Sequence, residues 1–224
     1  MKKDLTQSVR ETVEVLVVAG LLALFIRTFI VQAFKIPSGS MLQTLQIGDH
    51  LLVSKFLYGV KAPFVDKIII PVSNPERNDI IVFEYPQNPD VDFIKRIVGV
   101  PGDTLEIVDK QLYRNGQPVN ESFTQFTGSM VYPRPARMPD VLPPDQYAEY
   151  FNGKAHMSHR DQMPQITVPE GKYFVMGDNR DGSHDSRFWG FVDREAILGK
   201  ALFIYWSWEN LTDIRWNRLG KVVE

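Results

Sequence analysis

The hydrophobic pattern divides the 224-residue chain into two unlike parts. A polar start is followed by an uncharged apolar stretch, VLVVAGLLALFI, over residues 15–26, and apolar residues continue past Arg27 to Phe34. A helix that spans a bilayer needs about 20 apolar residues. The stretch reaches that length if Glu14 and Arg27 lie near its two ends, where their charges can extend to the interface.

Three interpretations of this stretch are open. A core helix is disfavoured, because the stretch is apolar on all sides. A cleavable signal peptide would use residues 31–33, VQA, as its small-residue cleavage site. A retained transmembrane anchor over residues 13–34 is favoured, because Arg27 interrupts the passage from the apolar core to that site. Basic residues precede the stretch, so residues 1–12 should stay cytoplasmic and the body of the chain should lie outside.

Beyond Lys35 the pattern predicts a mainly β fold. Short apolar or alternating runs are separated by Gly, Pro, Asn and Asp, and neither repeats nor strand–helix alternation are visible. The runs are HLLVSKFLYGV, DIIVFEYP, DFIKRIVGV, TLEIVDKQLYR, KYFVMGD and KALFIYWSW. Within RNGQ, Asn115 and Gly116 predict a hairpin turn, because both residues tolerate the positive φ angles that such turns require.

Residues 113–166 differ from the rest of this β-rich part. They contain seven of the 15 prolines, two of the four histidines and few strand signals. We predict an inserted Pro-rich subdomain here, with residues 35–112 and 167–224 forming the main β domain.

Composition narrows the classes of function. A net charge of −2 gives no reason to expect a nucleic-acid partner. The absence of cysteine excludes disulfides, a thiolate metal site and a cysteine nucleophile.

Two serines follow the apolar stretch, in IPSGSMLQTLQIGD. A Ser/Gly/Pro cluster between apolar runs is usually a loop. Ser40 could act as a nucleophile only if a base takes its proton. Histidine is the obvious base, and a Ser40–His184–Asp triad is conceivable, but the spacing selects none of His50, His156, His159 and His184. A metal site built on HMSH is a weaker hypothesis still.

Lysine is the other candidate base. Lys95 lies within the apolar run DFIKRIVGVPGD, and strand alternation places its side chain on the same face as Phe93 and Ile97. It could be an edge lysine that reaches water. It could also be a buried, neutral amine, since burial can lower a lysine pKa into the range of a useful base. The sequence pattern alone does not decide between these two.

The loop GDNRDGSHDSRFWG concentrates charged residues. A calcium-binding loop is excluded, because Gly177 stands where the first acidic ligand is needed and Phe188 stands where the closing glutamate is needed. A loop held rigid by Arg–Asp pairs is the plain interpretation. Such a loop could direct one hydroxyl, that of Ser183, at a lysine.

Four stretches in this order, after a membrane anchor, resemble the sequence boxes of bacterial signal peptidase I. They are IPSGSMLQTLQIGD, RNDIIVF, DFIKRIVGVPGD and MGDNRDGSHDSRFWGFV, and the resemblance extends through IYWSW and IRWNRLG. It covers residues 113–166 poorly. It implies antiparallel sheets with an inserted second domain, and a serine protease that needs no metal or cofactor.

The resemblance also implies roles for individual residues. Ser40 matches the nucleophile and Lys95 the general base. Ser38 would donate to the oxyanion together with the Ser40 N–H, and Ser183 would orient the lysine. A supporting polar network matches Asp178, Arg180, Asp185, Arg187 and Arg96. Motif matching places shallow apolar substrate pockets along Phe34, Ile36, Met41, Leu45, Val82, Phe93 and Ile94.

The implied partners are the signal peptides of preproteins, with small residues at positions −1 and −3, and a phospholipid membrane near the export translocon. The implied location is the bacterial inner membrane, with the catalytic part on the outer side. Three positions depart from the family pattern, and none removes a catalytic atom: Gln43, Asn78 and Gly182. A Ser–Lys self-cleaving regulator and an anchored non-enzymatic interaction module remain alternatives.

Overall fold

A long helix precedes a β-rich body. The computed structural model describes residues 5–61, 68–152, 157–210 and 213–224, so His156 and residues 1–4 of the predicted cytoplasmic segment lie outside the described residues. Helix α1 covers Leu5–Phe29. Its segment Ser8–Phe29 has a mean hydropathy of 2.0 and is not buried by the rest of the chain, so it is long and apolar enough to cross a membrane.

The helix ends earlier than the predicted anchor. Strand β1, Val31–Lys35, follows α1 almost at once and pairs antiparallel with β2, Asp49–Ser54, from Val31 opposite Ser54 to Lys35 opposite His50. The end of the membrane-spanning segment stays a prediction, but the helix ends five residues before Phe34. The reason is that the neighbouring strand offers backbone partners to these residues, which local hydropathy does not reveal.

The remaining elements are mostly antiparallel strands, which confirms the predicted mainly β fold. In chain order the further strands are β3 (Val60–Lys61), β4 (Ile68–Ile70), β5 (Ile80–Tyr85), β6 (Asn88–Gly99), β7 (Thr104–Val108), β8 (Gln111–Arg114), β9 (Gln117–Pro118), β10 (Met163–Thr167), β11 (Lys172–Met176), β12 (Val192–Asp193), β13 (Ile197–Asn210) and β14 (Asp213–Ile214). Two short helices are α2 (Tyr147–Asn152) and α3 (Ser186–Trp189). Single 3₁₀ turns are Pro144–Gln146, Met157–Arg160, Arg180–Gly182, Arg194–Ala196 and Trp216–Arg218.

The main sheet carries the stretches singled out in the sequence. Its strand order is β1-β2-β13-β5-β6-β11-β12, with β14 paired to β13. Both faces of β5 are covered: Ile80 and Val82 belong to one apolar core, whereas Ile81 and Phe83 belong to another. A strand that is buried on both faces has a continuous run of apolar residues, and the run in DIIVFEYP is of this kind.

A second sheet is built from strands β10-β7-β8-β9 in that order. The predicted hairpin turn is confirmed, because Arg114 pairs with Gln117 and the turn residues Asn115 and Gly116 have φ of 54° and 73°. The second sheet joins β7, which precedes the predicted insertion boundary at residue 113, to β10, Met163–Thr167, all but the last residue of which lies inside that insertion. The division at residues 113 and 166 stays a prediction.

Candidate active site

Ser40 lies in the turn between β1 and β2, and hydrogen bonds from Asn179 fix the backbone of this turn. The backbone N–H of Asn179 donates to the Ser40 carbonyl at 3.1 Å, and the Asn179 side-chain amide donates to the Gly39 carbonyl at 3.1 Å. Ser40 is 8% exposed. Its own backbone N–H donates to no acceptor among the residues that the structure describes, so it remains available to a bound group.

Lys95 reaches Ser40 from strand β6. It pairs with Ile81, and its ammonium nitrogen Nζ lies 5.2 Å from the centre of the Phe93 ring, while Ile97 belongs to the same apolar core. The predicted shared face of these residues is therefore confirmed. Lys95 Nζ lies 2.8 Å from Ser40 Oγ and 3.0 Å from the Ile94 carbonyl oxygen. The edge-lysine alternative is wrong, because Lys95 lies on an inner strand and is 4% exposed.

Burial sets the protonation of Lys95. Removal from water disfavours the charged amine and lowers the pKa of Lys95 from 10.5 to about 8. The nearby charges act in both directions: Asp185 and Asp178 raise this pKa, whereas Arg187 lowers it. Because these charges partly offset one another, burial is the dominant cause, and the amine can exist as a neutral base near neutral pH.

The pair Asp185 and Arg187 fixes the loop behind the lysine. Arg187 donates from Nε and Nη2 to the two carboxylate oxygens of Asp185, each at 2.8 Å, and both residues are almost completely buried. Asp185 also accepts from the Gly177 N–H at 3.0 Å. Burial alone would raise the pKa of Asp185, but the Arg187 charge and these hydrogen bonds hold it below its usual value. The carboxylate is thus kept ionised and the loop is kept in one shape.

A second buried pair supports the serine turn. Arg96 follows Lys95 on β6 and points to the other face, where it donates to Asp178 at 2.9 and 2.8 Å. Asp178 in turn accepts from the Thr44 hydroxyl at 2.6 Å, four residues after Ser40. Arg96 also donates to the carbonyl of Asn78 at 2.9 Å. This pair links strand β6, the loop after β11 and the serine turn.

The remaining predicted polar residues lie in the same region with different contacts. Ser183 is buried, and among the described residues its Oγ forms no hydrogen bond of ordinary geometry, although it lies close enough to the Asp185 carboxylate to help lower the pKa of that group. Ser38 is exposed at the front of the turn. Arg180 is ion-paired with Glu121 and donates from Nε to the Gly177 carbonyl at 3.2 Å. The roles of Ser38 and Ser183 stay predictions.

None of the three described histidines, His50, His159 and His184, forms a hydrogen bond with Ser40. His184 is exposed, stacks on the Phe188 ring and lies 3.4 Å from Tyr85 Oη through Nε2. Within the described part of the chain no hydrogen bond joins it to Ser40, so the triad hypothesis is wrong. His50 packs among aromatic rings, and His159 stacks on Tyr150. No metal-binding cluster occurs among the described residues, of which His156 is not one.

The predicted pocket residues border two apolar cores. One core contains four buried members of the set, with two partly buried members packed against it: Ile36, Met41, Leu45 and Val82, then Phe34 and Ile94. Phe93 packs against the other core. Met41 and Leu45 are fully buried, so their side chains are not accessible from the surface. Contact with a substrate stays a prediction for all seven.

Several residues of the site were not found from the sequence. Thr44 and Asn179 lie inside the quoted motifs. Their closeness in sequence to Ser40 and Asp178 was the one feature that could have predicted their contacts with the site. Gly177 is packed so tightly that an added Cβ would lie 2.4 Å from the Ser40 carbonyl oxygen. Phe123, whose ring lies 3.7 Å from the Arg96 guanidinium, is in the predicted insertion, where no sequence signal pointed to the site.

A serine hydroxyl held beside a buried lysine on an antiparallel scaffold can perform acyl transfer without histidine. The family model described as "Signal peptidase, peptidase S26" matches residues 9–206. The chain belongs to this family. That membership favours the peptidase hypothesis over the two alternatives left open by the sequence.

Curated relatives match over most of the chain. A signal peptidase I of Pseudomonas aeruginosa is 39% identical over 205 residues, covering 84% of this chain and 69% of that protein. A signal peptidase I of Aquifex aeolicus is 36% identical, covering 84% and 80%. A probable signal peptidase I-1 of Synechocystis is 35% identical, covering 96% and 88%. A crystal structure of signal peptidase I from Enterococcus faecalis is 31% identical, covers 57% of this chain and 97% of its own, and has a TM-score of 0.39.

Proposed function

We propose that this chain is a membrane-anchored serine endopeptidase that removes signal peptides from exported preproteins. The observation that carries the proposal is the contact of 2.8 Å between the Lys95 amine and the Ser40 hydroxyl, made by a lysine whose burial lowers its pKa to about 8. Membership of the signal peptidase family supports the same activity.

Acylation follows from this contact. The neutral Lys95 amine accepts the proton of Ser40 while Oγ attacks the carbonyl carbon before the cleavage site. The protonated lysine then gives that proton to the leaving amine as the peptide C–N bond breaks. The signal peptide stays attached to Ser40 as an ester. Lys95 next accepts a proton from the water that attacks the ester carbonyl, and it returns this proton to Oγ as the ester C–O bond breaks, which restores the Ser40 hydroxyl and the neutral amine.

The negative charge that develops on the substrate oxygen needs donors. The Ser40 backbone N–H is free for this role among the described contacts, and the exposed Ser38 hydroxyl stands two residues before it. Donors already in place stabilise an oxyanion more than water does, because they need no reorganisation. Ser183 is assigned a contact with the charged form of Lys95, which would give its buried, unpaired hydroxyl a partner.

Specificity would come from an extended substrate strand beside the serine turn and β6. Side chains at −1 and −3 then face the protein while −2 points away, because strand side chains alternate. The pockets for small residues would be lined by partly buried Phe34 and Ile94, which pack against the core that contains Met41 and Leu45. Large residues are excluded by steric overlap, so small residues are preferred mainly because others are rejected.

The membrane should lie close to this site. Helix α1 ends at Phe29, only 11 positions before Ser40 (40 − 29 = 11), so the catalytic turn cannot be far from the bilayer. Trp206 contacts the rings of Trp208 and the largely exposed Trp216, and such aromatic clusters favour the membrane interface. We assign the N-terminus to the cytoplasm and the β body to the outer side, near the translocon that delivers preproteins.

The test uses the full chain in detergent micelles with a preprotein that has alanine at −1 and −3. Wild type should cut once, after the −1 residue, as mass spectrometry of both products will establish. Ser40→Ala and Lys95→Met should each abolish cleavage, and the double variant should be no worse, because the two residues act as a unit.

Matched controls exclude indirect effects. Ser129→Ala, at an exposed position, and Lys172→Met, at a partly exposed position where the amine pairs with Asp193, change the same residue types away from the site and should leave the rate unchanged. A Lys95→Met enzyme with more than about a tenth of the wild-type rate would contradict the lysine-base assignment. A wild-type chain that leaves the preprotein uncut would contradict the proposed function itself.

A further inference from the structure

One short segment of the predicted insertion lies in the active-site region. Residues 121–125, here called the strap, lie against the loop that follows β11. The Gln125 N–H donates to the Asp178 carbonyl at 2.8 Å, and the Arg180 N–H donates to the Gln125 carbonyl at 2.9 Å. Gln125 and Asn179 thus form an isolated parallel bridge. Asn179 is the residue whose N–H holds the Ser40 carbonyl, so a single residue separates the strap from the nucleophile.

The aromatic ring of the strap covers the arginine behind the site. The Phe123 ring centre lies 3.7 Å from the Arg96 guanidinium carbon, within the range of a cation–π contact. Arg96 is 1% exposed and holds both carboxylate oxygens of Asp178, which in turn accepts from Thr44. Without the ring, water would reach Arg96 and compete for the carboxylate that fixes the serine turn.

A third contact comes from the acidic end of the strap. Glu121 forms an ion pair with Arg180, and the side chains are 5% and 3% exposed. Arg180 also donates from Nε to the Gly177 carbonyl at 3.2 Å. Gly177 is the residue whose backbone leaves no room for a Cβ beside the Ser40 carbonyl. Glu121 is therefore connected, through Arg180 and Gly177, to the backbone that packs closely against the Ser40 carbonyl.

We propose that the strap, through Phe123 and Glu121, positions the loop that holds Ser40 and keeps water away from the buried charges near Lys95. These are positioning residues, because their contacts reach the reacting atoms through Arg96, Arg180 and Gly177. The proposal rests on the proposed peptidase function and assigns the insertion a part in it. The insertion is thereby a component of the catalytic apparatus rather than an appended surface domain.

The proposal predicts a kinetic signature that general destabilisation would not produce. A displaced nucleophile slows the chemical step but leaves distant substrate contacts intact, so kcat should fall while KM stays nearly constant. Displacement of the loop that carries Asp178 and Asp185 would also open a path for water to Lys95, which lies on the opposite face of β6 from Arg96. The apparent pKa of the rising limb of the pH–rate profile should therefore move upward from about 8 towards 10.5.

The experiment compares four substitutions in the full chain in detergent micelles, using a fluorogenic peptide with alanine at −1 and −3. Phe123→Ala should lower kcat about tenfold or more and raise the apparent pKa, because small displacements of reacting groups have large effects on rate. Phe123→Tyr keeps the ring and should restore both values. Glu121→Gln keeps the size and should lower kcat in the same direction. Phe126→Ala, a half-exposed ring one residue beyond the strap, should behave as wild type.

Thermal unfolding, followed by near-ultraviolet circular dichroism, gives the folded fraction of each variant, and rates are expressed per folded molecule. The proposal is overturned if Phe123→Ala and Glu121→Gln both keep kcat and the pH profile within about twofold of wild type on that basis. It is equally overturned if their losses only match the loss of folded protein. Failure of wild type to cleave, with Ser40→Ala unchanged from it, would instead refute the peptidase function.

Discussion

The pH dependence of cleavage tests the buried lysine most directly. With a pKa of about 8, Lys95 should be neutral in about one molecule in ten at pH 7, whereas a lysine at 10.5 would be neutral in about one in 3,000. We expect kcat/KM to rise about tenfold per pH unit up to about pH 8 and to level off above about pH 9. The assay is initial-rate cleavage of the alanine-containing peptide from pH 6 to pH 10 at constant ionic strength.

The lowered pKa of Lys95 should also make the free energy of unfolding depend on pH, in a direction that can be derived. Between about pH 8 and pH 10.5 the unfolded chain binds a proton that the folded chain has released, so the contribution of Lys95 becomes more favourable as pH rises. The unfavourable contribution is complete below about pH 8, where it is about 3 kcal/mol at 1.36 kcal/mol per pH unit. It is absent above pH 10.5.

The variant Lys95→Met isolates this contribution, because methionine fills similar space without an ionisable group. The difference in unfolding free energy between Lys95→Met and wild type should shrink by about 3 kcal/mol from pH 8 to pH 10.5, as measured by chemical denaturation. A rate that keeps rising tenfold per unit to pH 10, together with a stability difference independent of pH, would refute the reasoning. Lys95 would then be a solvated lysine.

Three further predictions concern packing and buried charge. Gly177→Ala should abolish most cleavage, because a Cβ there would lie 2.4 Å from the carbonyl oxygen of the nucleophile; Gly128→Ala, whose Cβ would be 3.5 Å from its nearest neighbour, is the control in the same assay. Asn78→Val should lower the unfolding free energy by about 1–2 kcal/mol, because residue 78 has a φ of 73° that a β-branched residue rarely adopts. Asn78→Gly should be tolerated. The measurement is the unfolding free energy of each variant from chemical denaturation, compared where the curves have equal slopes. Arg218→Met should destabilise the fold by about 3–5 kcal/mol, since it removes the main partner of the buried Asp49. Burial would raise the pKa of Asp49, but the Arg218 hydrogen bonds lower it below 3.8. The stability from this pair is therefore present above about pH 3.8 and is lost as the pH falls below it. The unfolding free energy of Arg218→Met should not show this loss in acid.

The departures from the family pattern have different structural consequences. Asn78 adopts positive φ, which explains why glycine suits this position and why asparagine, which visits the left-handed region more readily than most residues, can replace it. An added Cβ at Gly182 would lie 2.6 Å from Nδ2 of Asn179, the amide that donates to the Gly39 carbonyl, so a larger residue here would require that side chain to shift. Gln43 is exposed in the serine turn, and nothing in its contacts explains the substitution.

Local sequence patterns determined the elements that depend on local physics. The long apolar stretch predicted α1, because a helix satisfies its own backbone and needs no partner. Continuous or alternating apolar runs predicted β2, β5, β6, β11 and β13, and the turn at Asn115 and Gly116 followed from their tolerance of positive φ. The face of Lys95 followed from strand alternation, which is a property of the backbone alone.

The tertiary structure decided which of these segments pair with one another as strands. Hydropathy extended the anchor to Phe34, but the edge of β2 pairs with Val31–Lys35 and makes a strand of them. Residues 104–112 were assigned to the main domain, whereas in the structure β7 pairs with β10 and with β8 in the second sheet. Edge pairing depends on partners far away in the chain, and no local periodicity encodes it.

The same division applies to the site. The sequence left Lys95 undecided between an edge lysine and a buried base, and the resemblance alone paired it with Ser40. Only the fold brings these side chains, 55 residues apart, to a contact of 2.8 Å and removes the amine from water. The strap contacts of Phe123 and Glu121 had no sequence signal, because they depend on where the insertion folds back. Burial and long-range contact are collective properties of the chain, so the candidate chemistry could be proposed from the sequence, whereas its electrostatic basis required the structure.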